Sequence, residues 1–544
     1  MWKKYSEIII LVFIILVAIV TRFYKLGEAP QGLYVDEAGQ GYSAYSILKT
    51  GKDEFGKSFP IVFRSLTDFK TPVFVYLIVP LIDIFGLNAF TVRFPSFLFS
   101  ILTIPVLYLL IKQLTKSVPL SQISISLLAI SPWHILFGRT NFECNVALFF
   151  MLSGILAFYK ALKNPKYLML TAVMFAIAVP AYHSQRIITP LIVIALVIKH
   201  RKILFTKKFR FYTILSAIIG ILISLPTISI VGTPGFLARA SGLNIFTHVR
   251  QMPAGFLENY DGVLSFIVNS SWILTIREFL ALYFSYLSPR YMFNLGDYGP
   301  RSSFPELATF FVWQFPFYIW GLYILLKQKQ SEFKFLILCL LLISPIPAAV
   351  TRDPYSTIRS LPLVIPQIII IALGIQELLK TKFKFIFTIL LIFLYSYSLF
   401  KLYSSVIILN EYYRGKYWDY GWQEAVEVIK KYPDLPVVID NARSDPDLIL
   451  AFYLKYDPVK YQNENFEVPL NEYYTNLKRN TEKHIGNIIT RPINWKMDTI
   501  KNQILVGDEL AISYDQIKEH NLTLLKEIIY PSGEIALRVV KTNF

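Results

Sequence analysis

Apolar residues fall in blocks along most of the chain, at about 8–20, 72–86, 94–111, 119–137, 144–162, 166–181, 187–199, 211–230, 306–327, 333–350, 358–379 and 383–405. Most blocks approach the roughly 20 residues that carry a helix across a hydrocarbon core. Two polar stretches, 21–71 and 231–305, interrupt the series. From about 406 the pattern changes. Charges now mix with short β-rich runs such as Val437-Val438-Ile439 and a helical run from Asp447 to Lys455, which reads as a small soluble α/β domain. The expected fold is therefore an all-α polytopic membrane domain over 1–405, followed by a soluble α/β domain over 406–544. The first block follows Lys3 and Lys4 and runs into Thr21-Arg22-Phe23-Tyr24 without a small-residue cleavage pattern, so it is read as a retained helix.

Composition agrees with this pattern. The chain has 544 residues, 54% hydrophobic and only 17% charged, where a soluble protein carries roughly a quarter charged residues. The net charge of +17 lies largely in short loops, among them Lys160/Lys163/Lys166, 199–210, Lys327/Lys329/Lys334 and Lys380–Lys384. These are positive-inside signals, and with no basic aromatic stripe on a soluble segment, nucleic-acid binding is excluded. All four clusters become cytoplasmic if one early block fails to cross. The best candidate is 72–86, short and holding Pro80 and Asp83, as an interfacial or re-entrant helix. About eleven helices then cross, and loops 21–71 and 231–305 and the C-terminal domain lie outside. Cys144 and Cys339 lie in or beside apolar blocks and suggest no disulfide or redox pair.

Candidate chemistry clusters at the outer ends of the blocks. Asp36-Glu37 follows the turn formers Pro30 and Gly32 and precedes the mostly apolar run Tyr42 to Leu48. The pair is either a functional site or the N-cap of a helix lying on the membrane surface. Lys70 in Asp68-Phe69-Lys70-Thr71-Pro72 is either functional or a snorkelling lysine. Arg139 and Glu143, four apart, share a face if the helix continues, and would then pair with each other. Charges at such positions are expensive and more often functional than in a soluble protein. His183, beside Tyr182 and Arg186, is expected at the outer face as a structural residue or a substrate contact.

Asp-Glu in the first outer loop, Lys-x-Pro entering the next block and Arg-x-x-x-acid ending a later one together resemble the dolichyl-phosphate-mannose protein mannosyltransferases. They equally resemble their bacterial relatives, including the lipid A aminoarabinose transferases, all enzymes of the GT-C fold. The resemblance covers about 20–400 and is densest over 22–145. It extends to Tyr286-Leu287-Ser288-Pro289 with Asp297 and Arg301, and to Ile358-Arg359-Ser360-Leu361-Pro362. It implies Asp36 as the acidic catalytic residue, Lys70 as a lysine that meets the lipid phosphate, and Glu143 as a second acidic site residue. The chain departs from relatives at Thr71, where many have a second proline, at Glu143, where many have Asp, and at Ser356, where many have His.

The chemistry of such a transfer sets its own requirements. A sugar leaving a phosphodiester departs as a phosphate monoester, which needs cations more than a general acid. The acceptor must lose a proton, which calls for one carboxylate base. Asp36 with Lys70, Arg139 and Arg359 supplies that set, with Glu37 and Glu143 supporting orientation or a cation. No Gly-rich phosphate loop follows a strand, and the six histidines show no metal-ligand spacing. No cofactor is expected to be required, although a divalent cation fits the carboxylates. The expected partners are a polyprenyl-phosphate-linked sugar, an acceptor protein, lipid or glycan, and the bilayer. An envelope polysaccharide polymerase or ligase and a transporter are the competing classes. A transporter tends to show repeated halves, and none is visible.

Overall fold

The computed structural model describes residues 2–66, 68–237, 244–246, 263 and 270–543. Most of 238–269, the first half of the second outer loop, lies outside the described residues.

The apolar blocks become helices. They are α1 (Trp2–Phe23), α3 (Pro72–Phe85), α4 (Ala89–Thr115), α5 (Val118–Ala129), α6 (Pro132–Arg139), α7 (Cys144–Ala161), α8 (Tyr167–Ala181), α9 (Gln185–Leu204), α10 (Lys207–Ser229), α12 (Phe315–Lys327), α13 (Glu332–Ile343), α14 (Ile346–Val350), α15 (Val364–Leu378) and α16 (Lys384–Tyr403). The polar stretches hold α2 (Val35–Thr50) and α11 (Ser271–Ser285). Among the described residues seven helices are long and apolar enough to cross a membrane, eight if α5 and α6 form one span bent by 57°. The chain is a multi-pass membrane protein. Several remaining blocks are short. With 14 residues α3 reaches only about 21 Å, less than the roughly 30 Å core. Block 306–327 is helical in the α sense only from Phe315.

The α5–α6 bend follows from sequence. Ser131 caps α6 and Pro132 occupies its first turn, where proline is tolerated but cannot continue a preceding helix. The carbonyls this frees do not stay unpaired. Arg22, fully buried at the end of α1, donates to Ala129 O at 2.8 Å and Leu128 O at 3.0 Å.

The C-terminal domain carries a six-stranded sheet. Its strands are β3 (Val437–Ile439), β4 (Lys483–Ile485), β5 (Ile488–Thr490), β6 (Ile504–Gly507), β7 (Thr523–Ile529) and β8 (Ile535–Lys541), in the order β4-β5-β3-β6-β8-β7. Strand β3 runs parallel to both β5 and β6. Helices α17 (Trp422–Ile429) and α18 (Asp447–Leu454) cover it. Its core is continuous with the first outer loop. Leu33, Tyr42, Phe74 and Ile78 pack in one cluster with Trp422, Val426, Phe452 and Ile504. Helix α2 was expected on the membrane surface. It is instead enclosed by protein, because Gly39 and Gly41 let Leu448 and Phe452 of α18 approach its backbone. A Cβ on Gly41 would meet the Phe452 ring at 2.7 Å and Val92 at 2.8 Å.

Candidate active site

Two buried arginines, Arg139 and Arg93, build the floor of the site. The last carbonyls of α1 lack helical partners, and the turn after it presents further carbonyls to the same side. Arg139 donates to four of them, at Thr21, Arg22, Lys25 and Ala29, over 3.0–3.3 Å. Arg93 of α4 takes Pro30 O at 3.0 Å and Gly32 O at 2.8 Å, and clamps Glu37 in a two-point ion pair of 3.0 and 2.8 Å. Glu37 Oε1 also accepts from Asn141 N at 2.8 Å. Both members of the Arg93–Glu37 pair are wholly buried.

One expectation is thereby corrected. Helix α6 stops at Arg139 and Glu143 is the N-cap residue of α7, so no continuous helix turns them to one face. Arg139 spends both terminal nitrogens on carbonyls, while Glu143 accepts from Gln40 Nε2 at 2.9 Å. Glu37 gives both oxygens to Arg93 and so ties the first outer loop to α4. Beside Glu143 the side-chain amides of Asn141 and Asn145 are buried without a hydrogen-bond partner among the described residues. Such atoms lose about 1–3 kcal/mol each unless water or a ligand meets them.

On this floor Asp36, in the first turn of α2, faces Lys70. Its Oδ2 lies 2.7 Å from Lys70 Nζ, with side chains 15% and 8% exposed. Lys70 is placed by the hairpin of β1 (Phe63–Ser65) and β2 (Asp68–Lys70), where it pairs with Phe63. The residues flanking it reach the end of α8. Phe69 O lies 3.1 Å from His183 Nε2, and Thr71 Oγ1 donates to Ala181 O at 3.1 Å.

The same α8–α9 turn opens a cavity of about 300 Å³, lined by Tyr182, His183, Arg186, Phe236, Thr351 and Arg359. Arg186 spends one nitrogen on Phe236 O at 2.7 Å and stacks 4.2 Å from the Phe236 ring. Its Nε and second terminal nitrogen are buried with no hydrogen-bond partner among the described residues. Arg359 is held by Thr351 Oγ1 at 2.9 Å and Asp353 at 3.2 Å. Three sequence-predicted residues, His183, Arg186 and Arg359, thus meet in one cavity, and His183 ties it to Phe69, the residue before Lys70.

Residues 69–229 match the family model for dolichyl-phosphate-mannose-protein mannosyltransferase. That stretch carries Lys70, Arg139, Glu143, His183 and Arg186, while Asp36, Asp297, Arg301 and Arg359 fall outside it. No curated protein sequence matches the chain. Among solved structures, the chain is similar to the oligosaccharyltransferase of Archaeoglobus fulgidus in the apo form, at 14% identity and TM-score 0.47 over 83% of this chain and 64% of that one. It is similar to ArnT from Cupriavidus metallidurans in the apo state, at 12% identity and TM-score 0.43 over 98% and 97%. It is also similar to the oligosaccharyltransferase AglB from Archaeoglobus fulgidus, solved with an inhibitory peptide and a dolichol-phosphate, at 14% identity and TM-score 0.49 over 94% and 70%. The chain spans just under two thirds of the first of these and nearly all of ArnT.

Around this matched stretch, residues from distant segments meet the same loops. Asp297 spends its carboxylate on Gly299 N at 2.7 Å and on Thr357 N and Oγ1 at 2.8 and 2.7 Å. It therefore fixes the segment that presents Arg359, and burial pushes its carboxyl up to about 6. Arg301 stacks 3.7 Å from the Tyr34 ring and donates to Tyr417 O at 2.6 Å, joining both outer loops to the C-terminal linker. Asp36 was expected as a possible N-cap, but α2 begins at Val35 with no side-chain cap from Tyr34. The carboxylate that meets Val35 N, at 2.8 Å, is Asp419. Burial raises Asp419 to about 6, opposed by the Val35 N–H and Arg301 and reinforced by Asp36. Gly32, at φ +85°, lets the linker close down, since a Cβ there would sit 2.2 Å from Trp418 O. Sequence alone missed Arg93, Asp419 and Trp418. For Arg93 a signal existed, an arginine within the outer turn of an apolar helix.

Among the described residues no group of three or more His, Cys, Asp or Glu is arranged to hold a metal ion.

Proposed function

We propose that the protein transfers a sugar from a polyprenyl-phosphate carrier to an acceptor at the outer face of the membrane. The observation that carries this reading is the pairing of one carboxylate, Asp36, with Lys70 beside a cavity holding His183, Arg186 and Arg359. Asp36 takes the proton of the acceptor hydroxyl or amine as that atom attacks the anomeric carbon. The bond from this carbon to the phosphate oxygen breaks, and polyprenyl phosphate leaves with the electron pair. Lys70, whose ammonium carries three N–H donors, pairs with Asp36 and shares the phosphate charge with Arg186 and Arg359. One base and no protein nucleophile give a single displacement with inversion. Next to this cavity, an apolar cleft of about 460 Å³ between α8, α9 and α10, lined by Phe175, Val179, Pro190, Val193, Val197 and Ile221, suits the isoprenoid chain.

Membranes containing the protein, incubated with labelled polyprenyl-phosphate sugars, test the reading by which sugar moves and what becomes labelled. No transfer from any such donor would overturn it. Arg186→Gln and Arg359→Gln each remove a charge-assisted phosphate contact of roughly 1.5–3 kcal/mol. Donor affinity is expected to fall accordingly; unchanged affinity in both would dissociate the cavity from the phosphate. Dialysis against EDTA is expected to leave turnover intact, because Lys70 already serves as the cation at Asp36. Loss of turnover restored by a divalent ion would move that role to a metal.

The orientation proposed puts the site and the C-terminal domain outside the cytoplasm. In a background with Cys144 and Cys339 replaced, an impermeant thiol reagent on intact cells is expected to label Asn480→Cys and spare Phe205→Cys. The opposite pattern inverts the topology.

A further inference from the structure

We infer that the face opposite the candidate site carries a binding pocket for the headgroup of an anionic phospholipid. Helix α4 links the two faces. Its Arg93 belongs to the floor of the site, and Lys112 lies 19 residues further along the same helix. At 1.5 Å per residue this separation is about 29 Å, close to the roughly 30 Å hydrocarbon core. At that far end a cavity of about 460 Å³ opens between the α4–α5 turn and the α7–α8 turn, lined by Lys112, Lys116, Lys160 and Lys163 together with Leu109 and Tyr167.

Four lysines drawn from the ends of α4 and α7 and the turns that follow them repel one another unless negative charge lies among them. The protein supplies little of it. Among the described residues Glu7, on α1, is the one carboxylate in an ion pair with any of the four, and it pairs with Lys112. Lys116 Nζ donates to Gln113 O at 3.0 Å, and Lys160 lies over the Tyr167 ring at 5.9 Å; neither contact neutralises a charge. A positive-inside bias asks for lysines on this face but not for their convergence on one cavity.

The surroundings select a lipid over a free anion. Leu109 and Tyr167 are exposed at the cavity rim, and Leu109 belongs to an apolar membrane helix. A ligand with a phosphate between the lysines and acyl chains along that helix satisfies both parts of the pocket. This follows the general attraction of basic residues near a membrane surface to anionic headgroups. The inference does not depend on the sugar-transfer reading, because the pocket and the site lie on opposite faces.

Native mass spectrometry of the purified protein in neutral detergent tests it, with dioleoylphosphatidylglycerol, dioleoylphosphatidylcholine and inorganic phosphate as probes. The wild type is expected to retain phosphatidylglycerol over phosphatidylcholine, and millimolar phosphate should not displace it. Lys116→Ala/Lys163→Ala is expected to weaken that retention about 30-fold, at roughly fivefold per basic residue near an anionic surface. Lys116→Arg/Lys163→Arg should restore it, which separates lost charge from lost fold. Retention unchanged in the alanine variant, or displacement of phosphatidylglycerol by inorganic phosphate, would overturn the proposal.

Discussion

Asp36→Asn is expected to lower turnover by about 10²–10⁴ while leaving donor affinity near that of the wild type. Asn keeps the size and the hydrogen-bonding capacity of the side chain, so α2 and its enclosure by the C-terminal domain stay in place. It cannot take the acceptor proton. It also removes the counter-charge that faces Lys70 across 2.7 Å, which leaves the full charge of that ammonium to the phosphate. Donor binding therefore holds or tightens while chemistry fails, and a lower KM alongside a lower kcat would fit this account. The two quantities separate by measuring donor affinity directly and product formation under saturating donor. An Asp36→Asn protein that folds and turns over at the wild-type rate would falsify the assignment.

The largest effect on stability belongs to the neighbouring carboxylate. Glu37→Gln leaves the Arg93 guanidinium fully buried without a counter-charge, and breaking such a pair from one side destabilises by about 3–5 kcal/mol. Replacing both partners by apolar residues is often harmless for a buried pair, but not here. Arg93 also serves the carbonyls of Leu26, Pro30 and Gly32, so Glu37→Met/Arg93→Met should remain destabilised. Thermal unfolding in detergent reads both variants. If Glu37→Gln kept the wild-type midpoint yet lost turnover, Glu37 would be part of the chemistry and not of the scaffold.

Which features were legible in the sequence follows from the range of the forces involved. The helices are legible because a hydrocarbon core imposes length and apolarity locally, residue by residue. Lys70 beside Asp36 was suggested by motif order, and the hairpin through Phe63 supplies the reason they meet. Arg139 and Glu143 do not share a face because the four-residue spacing spans a break: Ser131-Pro132 starts a short α6 that ends at Arg139 itself. The role of Asp419 had no local signal, since Val35, its partner, lies 384 residues away. The same is true of α2: its glycines mark close approach by another element, but nothing in the run says that this element is α18. Buried electrostatic partners across long separations are set by tertiary packing, and a single sequence does not encode them as a pattern.

The most direct measurement is the stoichiometry and stereochemistry of transfer by the purified protein in proteoliposomes, using a polyprenyl-phosphate sugar of known anomeric configuration. The account predicts one polyprenyl phosphate released per sugar joined to acceptor, with the configuration inverted and the release abolished in Asp36→Asn. Retained configuration, or free sugar released without acceptor, would contradict it.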